Sequence, residues 1–226
     1  MKTLIFSFLL VSGLVFCQNY EFDYLLTYQA KRMKPEVKKP DDYKVYINSK
    51  DHSYDMNLDI VNKQKISWIK DFNTNLNYRF VVLEKSGQPD LYNYQYARKF
   101  IKDDKKDKRF VNRVEVKKTG ENVYIIKAYK NRKANFIIDV ELEQASSDLM
   151  YFHLSDISEF TEAKILSEFK RQVPRENYVI KKIRFDYGNG NVFTEELTDI
   201  KAIEKKIALP QGIQQMITEQ FKDYKD

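Results

Sequence analysis

Four aromatic residues carry the chemistry this chain has most of: Trp68, its single tryptophan, and Tyr92, Tyr94 and Tyr96, spaced two apart. On an extended strand, that spacing puts the three tyrosines on one face. Such a face either packs beneath a helix or lines a concavity for a lipid chain or a flat sugar ring. Tyrosine suits a cavity wall because it joins apolar area to a polar tip. Stacking of RNA bases is a third use of the same set, and the export leader described below argues against it.

The residue types of ordinary active sites are sparse. The histidines are His52 and His153. His52 lies between Asp51 and Ser53 among turn formers, whereas a catalytic histidine needs an orienting acid and a nucleophile. His153 sits in Tyr151–Leu154, a half-buried lead-in to a strand or helix. Cys17 is the lone cysteine, so no Cys/His cluster offers a zinc site. Asp103, Asp104 and Asp107 lack the glycine and terminal glutamate of an EF-hand loop. Lysines stand between them, and the stretch reads as a solvated connection. Gly188-Asn189-Gly190-Asn191 precedes a strand rather than a helix, so it is a hairpin turn and not a phosphate cradle. The adjacent Glu195 and Glu196 face opposite ways on a strand, which does not make the paired carboxylates of a glycosidase. No catalytic residue, metal site or cofactor is assigned.

These residues belong to a chain with an export leader. Lys2 is followed by an almost unbroken apolar run from Leu4 to Phe16, and the composition turns polar at Gln18. That is the layout of a signal peptide, too short for a membrane span. Cleavage after Cys17 leaves residues 18–226 as one exported domain. The alternative is a lipoprotein signal that lipidates Cys17, but bulky Phe16 stands where such signals carry a small residue. Removing 17 of the 226 residues leaves 209, enough for a real core. Without Lys2, the 39 basic residues become 38 against 33 acidic, a net charge of +5. Charge so mixed describes solvated faces rather than a nucleic-acid surface. With no thiol left for a disulfide, the domain depends on its core.

Sixteen tyrosines and fifteen phenylalanines against six glycines and five prolines favour pleated sheet over a disordered chain. Tyr20, Phe22, Tyr24, Leu26 and Tyr28 alternate at period two, predicting a strand with one buried face. Further strands are predicted at 43–47, 53–60, 65–70, 78–84, 91–100, 110–117, 123–130, 136–142, 178–187 and 192–197, separated by short polar turns. The period changes over 156–172, where Ile157, Phe160, Ala163, Leu166, Phe169 and Val173 form a helical stripe, with Asp156 and Glu159 at capping-box spacing. Residues 201–209 fit strand or helix, and 211–222 predict a short C-terminal helix.

The strand Tyr20–Gln29, the hairpin end Tyr46–Met56 with its pattern Asn48-Ser49-Lys50-Asp51-His52-Ser53-Tyr54, and the segment Ile203–Ile213 resemble small exported Bacteroidetes proteins, loosely of the GLPGLI family. The Gly-Leu-Pro-Gly-Leu-Ile motif is absent; Leu209-Pro210-Gln211-Gly212-Ile213 is a distant echo. The resemblance implies an exported β-rich protein and carries no functional residues across.

The expected fold is mainly β: an antiparallel meander forming a curved sheet or half-barrel packed on one amphipathic helix, plus a short C-terminal helix. The expected function is a non-enzymatic envelope binding protein, holding a lipid or lipoprotein acyl chain between sheet and helix near Trp68, Tyr92, Tyr94 and Tyr96. The alternative is a structural module that binds an envelope protein with its core fully packed; a hydrolase ranks third. No nucleic-acid partner and no transmembrane span in the mature chain are expected.

Overall fold

The computed structural model describes residues 18–222 apart from 38, 39, 107, 153, 155 and 156. Residues 1–17, the expected leader with Cys17, and also Asp107, His153 and Asp156, lie outside the described residues. The strands in chain order are β1 (Asn19–Lys34), β2 (Asp41–Ile47), β3 (Tyr54–Val61), β4 (Gln64–Asp71), β5 (Leu76–Leu83), β6 (Leu91–Lys99), β7 (Arg113–Gly120), β8 (Val123–Tyr129) and β9 (Ala134–Gln144). Helix α1 (Glu159–Lys170) follows, then β10 (Tyr178–Asp186), β11 (Val192–Ala208) and helix α2 (Ile213–Gln220). Among the described residues, these strands form one unclosed antiparallel sheet in the order β6-β5-β4-β3-β2-β1-β11-β10-β9-β8-β7. The long central strands β1 and β11 pair with each other, so the first and last strands of the chain meet mid-sheet.

Turn chemistry sets the hairpins. Asn62 and Lys63 both hold positive φ, 52° and 66°, as the two-residue turn between β3 and β4 requires. Between β10 and β11, Gly188 has φ of 64°, and a Cβ there would lie 2.9 Å from the Asn135 carbonyl oxygen. A glycine is required at that position on both counts.

Each face of the sheet carries its own helix. α2 places Ile213 and Ile217 against Tyr20, Met56, Tyr78 and Phe80. α1 places Ile165 and Phe169 against Tyr124, Ile126, Ile138 and Phe152. Residues 145–152 lie on the α1 side, where Leu149 and Tyr151 pack with Leu26, Tyr28, Val45 and Ile47.

The structure departs from the sequence reading in three places. β1 does not keep one buried face. Tyr20 and Phe22 join the α2 core, whereas Tyr24, Leu26 and Tyr28 join the opposite side. The strand turns over at an irregularity between Phe22 and Tyr24. There the Asp23 carboxylate accepts from the Ser49 backbone N–H at 2.8 Å and its hydroxyl at 2.6 Å. Residues 192–209 form a single strand from Val192 to Ala208, because all of it pairs with β1. Finally, the cap of α1 is Ser158, whose side chain accepts from the Thr161 N–H at 3.1 Å. The buried face of α1 includes Glu159, Thr161 and Glu162, while Phe160 is 41% exposed. The first turn is therefore rotated away from the apolar stripe that its spacing predicts.

The β6 edge has a cap. The Gln220 side chain accepts from the Ala97 N–H at 3.2 Å and donates to the Ala97 carbonyl, so one amide imitates a neighbouring strand. Gln220→Ala is expected to lower stability by about 1 kcal/mol, read as a fall in Tm of roughly 2–4 °C. An unchanged Tm would mean that solvent satisfies Ala97 equally well.

Candidate binding site

A cleft of about 330 Å³ opens between the first turn of α1, the adjoining face of β4–β6 and the 100–112 connection. The connection is held in place by polar contacts rather than by regular structure. The Ile101 N–H donates to Glu159 at 2.9 Å. Asp103 accepts from the Ser158 hydroxyl and, at 3.2 Å, from the Thr161 hydroxyl. Asn135 donates to the Lys108 and Phe110 carbonyls at 2.8 and 3.1 Å. Lys164 of α1 donates to the Asn112 carbonyl at 2.8 Å. Apolar walls come from Ile101, Phe110, Leu154 and Ile157.

The floor is charged, with Lys70 and Arg98 lining it. They belong to a row in which Asp55, Lys70, Asn77 and Arg98 stand side by side across β3, β4, β5 and β6. The helix answers this row with two carboxylates. Glu162 accepts from Lys70 at 2.6 Å and from the Leu154 N–H at 3.3 Å. Glu159 accepts from Asn77 at 2.7 Å and from Arg98 at 3.3 Å. These contacts explain the rotation of the first turn: its acids face inward because cations and an amide meet them there.

Asp55, paired in register with Lys70, is buried, and its Oδ1 has no hydrogen-bond partner. Burial raises its pKa to about 7 against the pull of Lys70. On β11, buried Glu195 accepts from the Tyr43 hydroxyl at 2.6 Å. Its pKa is also raised to about 7, by burial, with Tyr43 opposing. Burial lifts Glu162 as well, beyond what Lys70 recovers. For Lys70, burial disfavours the charge, but Glu162 and Asp55 outweigh it and hold the ammonium above its ordinary pKa. Burial is the first cause of the raised carboxyl values at Asp55, Glu162 and Glu195, and only at Lys70 do neighbouring charges outweigh it.

The next row along the same face holds Asn57, Trp68, Arg79 and Tyr96. Trp68 meets Tyr96 edge to face at 5.9 Å. The Arg79 guanidinium lies 5.8 Å from the Trp68 ring and 5.6 Å from that of Tyr96, and Arg98 lies 5.2 Å from Trp68. The structure thus brings Trp68 and Tyr96 together but separates them from Tyr92 and Tyr94. A bulge in β6 opposite Arg79/Phe80 breaks the alternation at Gln95. Tyr92 and Tyr94 therefore turn to the α2 side, each edge to face with Phe80 at 6.3 and 5.9 Å. Tyr92 also accepts a 2.7 Å hydrogen bond from Lys205. The expectation that the three tyrosines share a face gives way to this bulge.

Sequence reasoning missed Asp55, Lys70, Arg98, Glu159 and Glu162. One signal was present: Lys70 follows Ile66 and Trp68 in phase, a cation on an otherwise apolar face of β4. As expected, Glu195 and Glu196 split, one buried and one exposed. His52 is an exposed turn residue 3.4 Å from Asp148, its pKa lowered by burial of the ring and by Lys170. Among the described residues, no group of three or more His, Cys, Asp or Glu is placed to hold a metal ion. No described helix is long and apolar enough to cross a membrane.

No protein-family model matches the chain, and no curated protein matches it. Among solved structures, it is similar to one described as "Crystal structure of LolA superfamily protein NE2245 from Nitrosomonas europaea". The identity is 10%, the match covers 88% of this chain and 91% of that one, and the TM-score is 0.24. A likeness at that level assigns neither fold nor function to this chain.

Proposed function

We propose that the protein is an exported, non-enzymatic binding protein of the cell envelope that takes a lipid-like amphiphile into the cleft beside α1. The observation that carries this reading is the cleft's composition: apolar walls over a floor of buried charge. A purely apolar chain would strip water from that floor without replacing its contacts, so the ligand needs a polar end. Lys70 is engaged with Glu162, and Tyr43 with Glu195, which supports binding over catalysis.

The half-barrel is part of this proposal. Eleven strands at ~4.8 Å spacing would span ~50 Å if flat, whereas the 12-residue α1 is ~18 Å long. Yet its first turn bonds to β4–β6, and Phe169 near its end meets Tyr124 of β8 at 5.3 Å. A sheet curled around α1 accounts for both contacts.

The test is native mass spectrometry with dodecanoic acid. The native chain should retain one molecule. Ile157→Trp, which fills the cleft from a half-buried wall position, should weaken retention by about tenfold or more. Absence of any adduct at millimolar ligand would overturn the reading.

A separate observation favours the envelope-protein alternative. The paired Leu83 and Leu91 form an exposed apolar row at one corner of the sheet, 41% and 54% accessible. If that row is the working surface, Leu91→Asp abolishes capture of a partner and leaves dodecanoate retention alone.

A further inference from the structure

We infer that Arg79 and Arg98, held on Trp68 and Tyr96, form a receptor for an anionic group, a phosphate or carboxylate, at the mouth of the cleft. This rests on the cleft reading above and names the polar end of its ligand. A guanidinium held over aromatic rings by cation–π attraction keeps its N–H donors for other partners. The Arg79 guanidinium carbon lies 5.8 Å from the Trp68 ring centroid and 5.6 Å from that of Tyr96. Among the described residues, it has no hydrogen bond or ion pair, so its donors are unspent. It is half-buried, and its position is fixed before any ligand arrives.

Arg98 connects this ladder to the cleft. It lines the cleft and lies on the Trp68 ring. Its one ion pair, at 3.3 Å, is with Glu159, a carboxylate that already accepts from Asn77 and the Ile101 N–H. Half of the Arg98 side chain remains exposed. Two strands away on the same face, β3 carries Asp55 and Asp59, one row to either side of the row that holds Arg79. The Asp59 carboxyl is raised by burial and by Asp41, the opposite of what a carboxylate neutralised by Arg79 would show. Two guanidiniums lie over one indole, and among the described residues the one carboxylate paired with either is Glu159 on Arg98, which leaves Arg79 without a counter-ion. A phosphate or carboxylate fits its fork geometry. A bound acyl chain along Ile101 and Ile157 would place such a head group beside Arg98.

The test compares three probes by equilibrium titration: dodecyl phosphate, monolaurin as the uncharged counterpart, and inorganic phosphate. Wild-type protein should bind dodecyl phosphate about tenfold or more tighter than monolaurin. Arg79→Gln should remove that preference, and Arg79→Lys, which keeps charge without the fork, should restore only part of it. Arg98→Gln provides a second variant should Arg79→Gln fail to fold by circular dichroism. Competition by inorganic phosphate that is lost in Arg79→Gln would support the receptor and identify a free anion as sufficient. Equal affinity for dodecyl phosphate and monolaurin in the wild type overturns the receptor and leaves the cleft reading standing. A preference that survives in Arg79→Gln likewise overturns the receptor. Binding of none of the three overturns both.

Discussion

Lys70→Met is expected to destabilise the protein by about 3–5 kcal/mol. Methionine matches the lysine stem in length and keeps its packing in β4, so the loss is electrostatic. Lys70 donates to Glu162 at 2.6 Å, with 9% and 7% of the two side chains exposed. It also stands in register with Asp55, whose Oδ1 has no other partner. Removing the ammonium leaves two buried carboxyl groups facing each other without a cation, and each must take up a proton or move. The helix is affected too, because Glu162 is one of the contacts that fix its first turn on the sheet. Urea denaturation at pH 7 measures the effect. The double variant Lys70→Met/Glu162→Gln should recover much of the loss, since a buried ion pair replaced as a unit costs little. A single-variant cost below about 1 kcal/mol would mean that solvent reaches the cluster and the pair is a surface pair in energetic terms.

The same cluster shows where sequence reading stopped. Period-two alternation identified most strands, because a half-buried strand writes its burial into residue type. Helical spacing identified α1 through Ile157, Phe160, Ala163, Leu166, Phe169 and Val173, and α2 through Ile213, Met216, Ile217 and Phe221. Bulges leave no such mark. The single extra residue at Gln95 sent Tyr96 to one face and Tyr92 and Tyr94 to the other. The turn-over at Asp23 depends on a contact with Ser49, a residue of another hairpin. The site suffers more than the fold does. A buried Glu162 looks in sequence like any solvated helical glutamate. Only its cross-sheet partner Lys70, 92 positions away, makes it otherwise. Trp68, Tyr92, Tyr94 and Tyr96 were singled out as one set, and the structure brings only Trp68 and Tyr96 together. The arginines that give them a chemistry, Arg79 and Arg98, were hidden in an ordinary charged background.

Stability is expected to fall as pH rises from about 4 to about 7, opposite to the usual behaviour of a paired carboxylate. The cause is the pair of carboxyl groups at Asp55 and Glu195, each lifted to about 7 by burial. Below pH 4 both are protonated in the folded and unfolded chain alike, so neither affects stability. Between 4 and 7 the unfolded chain ionises while the folded chain holds its protons. The folded state then binds more protons, and its advantage shrinks as pH rises. Above 7 both states are ionised and the penalty is constant. Moving one carboxyl from 3.8 to about 7 is worth about 4 kcal/mol. Moving the other from 4.5 to about 7 is worth about 3 kcal/mol. His52, whose lowered pKa favours the folded state at higher pH, opposes this trend near pH 6. It sits 3.4 Å from Asp148, whose other partner is Lys170, and is unaffected by changes at Asp55 or Glu195. Denaturation curves at pH 5, 6, 7 and 8 should therefore slope downward for the wild type. They should flatten by about half for Asp55→Asn and further for Asp55→Asn/Glu195→Gln, the remaining downward slope coming from Glu162 and Asp59, whose carboxyls burial also raises. A wild-type profile that is level or rising over that range would show that Asp55 and Glu195 ionise normally. The cluster would then reach water through the cleft that α1 borders.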